Sequence, residues 1–316
     1  MLNALAGVNM QERTSKGEAS IYLGFPSGAL SSPEYAKEIY EKGTFTESTR
    51  RLVGFLLSLN YSYKDIYLFD GSVRFDGSSV FGSDKRFAPF WSAGVGVNIH
   101  KYGFMKNLEF INQFKIRGSF GQTGKANFPA YAARSSYEIS TENWYKTGIS
   151  AKLKGLGNAN LTWETTNTFD IGAEISLFKD RFYIKGAYYN KRTIDLINDV
   201  TVPTSTGFRS YRDNIGEVSN KGCELDLRIV ALNKQDLQLI FNANLAHNKN
   251  RIEKISESLR AYNERVQKQF EEQLAWNDPD RALQSQPFLQ YEEGGSLNSI
   301  WGVRSMGINP ADGQEV

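Results

Sequence analysis

The residues of this sequence that could do chemistry are few, and their spacing suits none of the chemistry they hint at. Gly121, Gln122, Thr123, Gly124 and Lys125 glance toward a phosphate-binding loop. Such a loop needs four residues before its Gly-Lys pair and a Ser or Thr after it to hold the metal; here the spacing is short and Ala126 follows. Gly94 and Gly96 lack the third glycine of a dinucleotide fingerprint, since Ile99 fills its place. His100 and His247 are the only histidines and lie far apart in the chain, so a catalytic dyad or metal pair has little to build on. Cys223 is alone, which excludes an internal disulfide and a cysteine-based zinc site. The acid pairs Glu271-Glu272 and Glu292-Glu293 read as charged loop surface rather than as glycosidase carboxylates. No Gly-x-Ser-x-Gly elbow is present, and Asn309–Gly313 lacks the spacing of a calcium loop. The expectation is no catalysis, no cofactor and no metal.

Binding is better served. Aromatic rings offer flat faces on which a ligand can stack, and six aromatics fall in stretches that read as long loops: Tyr131, Trp144, Tyr145, Tyr211, Trp276 and Trp301. They are the candidate substrate contacts, with plain loop packing as the competing role. The net charge of +2 and sequence pI near 8.4 give no electrostatic footprint for nucleic acid. Aromatics make up 13% of the chain, and 28 glycines stand against 8 prolines. That composition suits the aromatic girdles of a membrane barrel, and also an aromatic-rich soluble β-protein. Mean hydropathy is −0.45 and no run approaches the ~18 apolar residues of a membrane helix. This excludes helical membrane proteins only.

The elements that must carry these residues are strands, since the dominant signal is alternation of period two. Val53, Phe55, Leu57, Leu59, Tyr61 and Tyr63 alternate with Gly54, Ser58, Asn60 and Ser62. After Lys64-Asp65 the pattern resumes with Tyr67, Phe69, Gly71, Val73 and Phe75 against Asp70, Ser72, Arg74 and Asp76. Similar runs lie at 89–99, 113–120, 168–177, 181–191, 223–229 and 237–248, and with about 3–13 they make roughly nine strands. A charged face opposite an aromatic one fits a polar lumen and a lipid-facing exterior, but a solvated soluble sheet alternates in the same way.

The connections separate the two. Tight turns are expected at Tyr63–Ile66, Phe178–Arg181 and Leu232–Asp236, with a moderate one at His100–Asn112. Long stretches lie at about 14–50, 77–87, 122–162, 194–214 and from 250 onward. Short and long connections therefore alternate, as they do in a membrane barrel with short inner turns and long external loops. From Arg251 to Trp276 the apolar residues Ile252, Ile255, Leu259, Tyr262, Val266, Phe270 and Leu274 recur at helical spacing. This predicts an amphipathic helix within an external loop, ended by Asn277-Asp278-Pro279-Asp280.

Several phrases carry a family resemblance. They are Asn60-Tyr-Ser-Tyr-Lys-Asp-Ile-Tyr-Leu68, Arg74-Phe-Asp-Gly-Ser-Ser-Val-Phe-Gly82, Phe87-Ala-Pro-Phe-Trp-Ser-Ala-Gly-Val-Gly96 and Lys115-Ile-Arg-Gly-Ser-Phe-Gly-Gln-Thr-Gly124. Leu161-Thr-Trp-Glu-Thr-Thr166, Val202-Pro-Thr-Ser-Thr-Gly-Phe208, Asn214-Ile-Gly-Glu-Val-Ser-Asn-Lys-Gly-Cys-Glu224, Ser299-Ile-Trp-Gly302 and Gly307-Ile-Asn-Pro-Ala-Asp-Gly313 follow in order. Together they resemble the SusC/RagA-type TonB-dependent outer-membrane transporters of Bacteroidota. The resemblance implies a plugged barrel of the 22-stranded type, an energising TonB complex, a SusD-like surface lipoprotein as lid, and oligosaccharide or peptide cargo. It places the chain in the outer membrane, against lipid. The loop aromatics could equally form the docking surface for the lid.

The fold class expected is all-β, an antiparallel transmembrane barrel segment of about nine strands with one helix in an external loop. Residues 1–250 are expected to form the partial barrel. Residues 251–316 are expected to form the external loop, its helix and the start of further strands. No signal peptide, plug or TonB box is visible, so a partial gene product or excised fragment is expected, contacting TonB through parts it lacks. The alternatives are a small barrel adhesin or structural protein and, behind that, an outer-membrane hydrolase.

Overall fold

The computed structural model describes the chain except for residues 83–84, 106, 127, 129–132, 202–205, 209, 276–290, 301–306, 309 and 312–316. Its strands are β1 (Leu2–Leu23), β2 (Glu38–Tyr63), β3 (Tyr67–Ser78), β4 (Phe87–Asn98), β5 (Ile111–Lys125), β6 (Ser136–Tyr145), β7 (Gly148–Gly155), β8 (Glu164–Leu177), β9 (Phe182–Thr201), β10 (Ser210–Asn233) and β11 (Gln238–Ile255), followed by the helix α1 (Glu257–Ala275). Among the described residues, nine strands form one sheet in the order β1-β2-β3-β4-β5-β8-β9-β10-β11, while β6 and β7 pair only with each other. Every pairing is antiparallel. In such a meander successive connections must fall at alternate ends of the sheet. The turns at 64–66, 99–110, 178–181 and 234–237 therefore share one end, and the connections at 24–37, 79–86, 126–163 and 202–209 share the other.

Residues facing each other across antiparallel strands share a face of the sheet. One face carries rows such as Ile175, Ile184, Leu227 and Ala243, in register across β8 to β11. It is open along its length: Leu245 is 70% exposed, and Phe241 and Val95 56% each. A soluble sheet would cover this band; lipid covers it at no cost. Aromatic girdles mark its two borders. At the short-turn end Tyr63 stacks on Tyr67 and Tyr102 donates to the Tyr67 hydroxyl at 2.9 Å. Phe178 packs there between Phe110 and Phe182. At the other border Phe75 stacks on Phe87, and Trp91 meets Phe120. Tyr67 and Phe75 are eight residues apart, about 27 Å of strand, or about 21 Å along the membrane normal at a ~40° tilt, most of the ~25 Å apolar band of an outer-membrane barrel. No helix among the described residues is long and apolar enough to cross a membrane.

Two of the short turns are built from left-handed backbone. Lys64 and Asp65 both have positive φ (52° and 56°), the geometry of a two-residue I′ hairpin turn. Phe178, Lys179 and Asp180 are left-handed in succession. Their cost is offset by the Phe178 N–H donating to the Phe110 carbonyl (2.7 Å) and the Lys179 N–H to Asn112 Oδ1 (2.7 Å).

Three sequence expectations change in extent. The stretch 14–50 is mostly strand, since β1 and β2 stay paired from Leu2↔Tyr61 to Leu23↔Glu38. Polar residues dominate both of its faces, and the few apolar ones, such as Ile21, Ile39 and Phe45, make no run of alternation that would reveal it. Beyond Leu52, where β3 ends its pairing, this hairpin stands as a two-stranded ribbon held by Glu12–Arg51 (2.7 Å) and Lys16–Glu47 (3.3 Å) ion pairs. Likewise β9 and β10 extend into the stretch 194–214. The helix starts at Glu257 and not at Arg251, because Ile252 and Ile255 are still in β11. Their spacing continues into that of Leu259 and Tyr262, so strand and helix read as one helical period. Ser256 caps the helix, its Oγ accepting from the Leu259 N–H at 3.2 Å. The 122–162 loop also contains the β6–β7 hairpin, and the start of further strands after 276 lies largely outside the described residues.

Candidate transport surface and loop rim

The second face of the sheet is polar. In one row Lys115, Glu174, Lys185, Asp226 and Asn244 stand side by side across five strands, with alternating charge until the amide. Cross-strand pairs of opposite sign stabilise a sheet by a few tenths to ~1 kcal/mol each. The neighbouring row places Arg117 between Gly96 and Gly172. The missing side chains leave the guanidinium room to reach diagonally to Asp170 (3.0 Å) and Glu174 (3.8 Å). Toward the short-turn end a groove of about 610 Å³ opens on this face. Asp180, Asp226, Lys185 and Arg228 line it with balanced charge, beside Tyr183 and the amides of Asn242, Asn244 and Gln113. Asp70 and Arg74, set by alternation opposite the aromatic residues of their strand, lie on this face, and so do Lys115, Arg117, Asp170, Glu174, Asp226 and Arg228. Tyr183 and Tyr189 are wall residues that the apolar pattern passed over, although their odd-numbered parity on β9 points inward.

The buried apolar clusters lie at the long-connection end. In the first, Phe81 stacks on Trp163 (4.6 Å) and meets Phe128 edge-on (5.0 Å), with Leu161 and Val80 fully covered. Phe90 contacts Trp163 from β4, and Trp163 Nε1 donates to the Arg86 carbonyl at 3.2 Å. This ties the β3–β4 connection, the exit from β5 and the entry to β8 into one rim. The second cluster joins Val200, Val218, Ile252 and Ile255 to Leu259 of α1. A polar lattice runs between them. Asn214 Oδ1 accepts from the Thr162 N–H (3.0 Å), while Asn158 Nδ2 donates to Asp213 Oδ1 (2.9 Å). Two carboxyls at this rim sit below the ordinary glutamate range. Glu293 accepts from the Ile255 N–H (3.2 Å) and the Arg260 guanidinium (3.0 Å); Glu253 accepts from the Ser219 hydroxyl and feels Arg251.

Of the six candidate contact aromatics, Trp144 and Tyr145 sit in β6, where Tyr145 is open to solvent. Tyr211 is in β10, packed against the second cluster, its hydroxyl donating to Asp213 Oδ2 at 3.1 Å. Tyr131, Trp276 and Trp301 lie outside the described residues. The structure thus brings none of the six together among the described residues except the neighbours Trp144 and Tyr145. Of the residues weighed for chemistry, the side chains of Glu271 and Glu272 and most of Asn309–Gly313 lie outside the described residues, and the others have structural places. Gly121–Lys125 is the outer end of β5, paired with Glu164–Thr168. His100 Nδ1 accepts from the Phe114 N–H at 3.2 Å, and His247 faces Cys223 across β10–β11. Among the described residues no group of three His, Cys, Asp or Glu converges as a metal site.

The family model described as TonB dependent receptor-like, beta-barrel, matches residues 6–302. A TonB-dependent receptor of Formosa agariphila is 34% identical over 259 residues, covering 79% of this chain and 26% of the relative. The TonB-dependent receptor SusC of Bacteroides thetaiotaomicron is 30% identical over 65% of this chain and 21% of its own length. Among solved structures, the RagAB peptide transporter superposes with a TM-score of 0.72 at 25% identity, covering 81% of this chain and 28% of the transporter chain. The chain thus spans about a quarter of the length of the curated relatives it matches. The lipid-facing band, the polar inner wall and the one-sided loops are what that likeness requires, and the chain belongs to the TonB-dependent receptor family, as part of its outer-membrane β-barrel.

Proposed function

We propose that this chain forms one side of the wall of an energised outer-membrane importer. The cargo is an oligosaccharide or a peptide, held under a SusD-like surface lipoprotein and moved by a TonB complex that acts through the rest of the longer protein. The observation that carries the reading is the sidedness of the sheet, with an open apolar band, a charge-balanced inner wall and the two longest connections between its strands, 24–37 and 126–163, at one end. The likeness to SusC and to the RagAB peptide transporter supports it. The loop aromatics act in cargo capture or in docking the lid; Tyr145 and Trp144, on a hairpin that stands off the sheet, suit that role better than Tyr211, whose hydroxyl is already engaged. The reading gives this chain passage and no catalysis.

The test is uptake by cells carrying the full-length transporter and its lipoprotein, with labelled oligosaccharides in one arm and peptides in the other. Accumulation of one class that stops when TonB is deleted is the expected result. Accumulation that is unchanged without TonB, or unchanged without the transporter, overturns the reading.

A further inference from the structure

Above the apolar band, the lipid-side face of β9, β10 and β11 turns basic. Going outward from Leu225 and Leu245, the rows in register are Tyr188–Cys223–His247, then Asn190–Lys221–Lys249, then Arg192–Ser219–Arg251. Lys221 and Lys249 are directly opposed, which puts their Cβ atoms roughly 5 Å apart, and like charges in that position destabilise a sheet. The acids nearby are already engaged. Glu217 takes the Arg192 guanidinium (3.1 Å), and Glu253 takes the Ser219 hydroxyl (2.5 Å) with Arg251 at 3.9 Å. Among the described residues neither lysine has a carboxylate within 4.0 Å. Asn190 closes the row, its side-chain oxygen buried without a hydrogen-bond partner. Four fixed cations against two carboxylates leave an excess of positive charge at one height.

That height is informative. Lys249 stands ten residues above Leu239, about 33 Å of strand. At the ~40° tilt of outer-membrane strands this is about 25 Å along the membrane normal, the full height of the apolar band. The lysine stems lie along the last apolar residues and their ammonium groups reach the headgroup level.

We infer that Lys221 and Lys249 form a binding site for the phosphate of an outer-leaflet glycolipid headgroup. An anion between the two ammonium groups converts their repulsion into a pair of charge-assisted contacts, and the acyl chains of the same lipid lie on Leu225 and Leu245. The site rests on the membrane placement and is independent of what the transporter carries.

The experiment is native mass spectrometry of the full-length transporter in detergent, titrated with diphosphorylated lipid A, its dephosphorylated form, and inorganic phosphate as competitor. The wild type is expected to retain the phosphorylated lipid at least tenfold better than the dephosphorylated one. Lys221→Gln/Lys249→Gln loses that preference, and Lys221→Arg/Lys249→Arg keeps it. The lipid-free Gln variant melts no lower than wild type, because the repulsion is gone. Equal retention of both lipids by the wild type, or undiminished preference in the Gln variant, overturns the inference. So does full displacement of the lipid by millimolar inorganic phosphate, which would make the site one for free anions. Failure of cargo uptake in the same cells leaves these readouts untouched, so the two proposals fail separately.

Discussion

The hydroxyl of Tyr189 donates to Asn248 Oδ1 at 3.2 Å although a whole strand separates them. Tyr189 on β9 and Asn248 on β11 both face Gly222 of β10, and the ring crosses the strand where that residue has no side chain. A Cβ at Gly222 would lie 2.5 Å from the Tyr189 oxygen and 2.4 Å from the His247 carbonyl oxygen. The inner wall at this height is therefore a three-strand clasp, in which an aromatic covers a strand glycine.

Gly222→Ala should consequently cost about 2 kcal/mol through overpacking, because the His247 carbonyl is backbone and cannot swing away. Tyr189→Phe, which deletes only the hydrogen bond, should cost about 1 kcal/mol or less. Urea unfolding of the full transporter in detergent gives both values. A Gly222→Ala protein as stable as wild type would show that the clasp does not exist.

The rim cluster is the next place where one residue holds several segments. Phe81, in the β3–β4 connection, is fully covered and touches both Phe128 and Trp163, which stand at the two ends of the 126–163 connection. Phe81→Ala should cost about 3–5 kcal/mol locally and release the loop from 126 to 163. Protease added to intact cells should then cut that loop at least tenfold faster, while the membrane-protected strands stay whole. Unchanged cleavage would place the loop's support elsewhere.

How far the sequence alone reaches is visible in these same residues. Alternation puts Leu57 and Phe69 on one apolar face because one apolar residue in two is all that signal needs. It was blind to the β1–β2 ribbon, where Lys16 and Glu47 pair across a hairpin that has no buried face. The Tyr189–Asn248 bond was beyond it as well, since parity gives the face but only register gives the neighbour across two strands. Helical spacing overran the end of β11, because Ile252 and Ile255 fill the same cluster as Leu259. Among the candidate contacts, Tyr211 was read as a loop residue, and its strand and its bond to Asp213 follow from pairing with β9 that its own neighbours do not announce.

Acid should loosen the helix before it loosens the sheet. Glu293 holds the Ile255 N–H and the Arg260 guanidinium, and these partners lower its carboxyl from the ordinary 4.5. A carboxyl lowered on folding contributes stability that is present above its unfolded value and fades as pH falls through the folded one. The hydrogen-exchange protection of α1, expressed relative to the intrinsic amide rate at each pH, should therefore be highest at pH 6 and fall only below about 4.5, through the range where Glu293 protonates. Glu293→Gln keeps the shape and removes the charge. Its protection should already be lower at pH 6 and nearly flat with pH, and a variant that kept the acid transition would assign it to another group such as Glu253.

The sidedness of the sheet is tested most directly at two adjacent residues. Asn244 and Leu245 are neighbours on β11, yet Asn244 stands in the inner row with Asp226 while Leu245 stands in the apolar row with Leu225. Leu245 lies near the middle of the band and is 70% exposed within it. An arginine there must hold its charge in hydrocarbon, at a cost of roughly 2–4 kcal/mol at mid-depth. At Asn244 the same arginine faces Asp226 and a groove filled with polar groups, where charge is tolerated. Leu245→Arg in the full-length protein should sharply reduce the amount assembled in the outer membrane, and Asn244→Arg should leave it within about twofold of wild type. Membrane fractionation with heat-modifiable gel mobility reads both. The reverse order would mean that the two faces have been exchanged, and equal tolerance would mean that lipid does not lie against β11 at all.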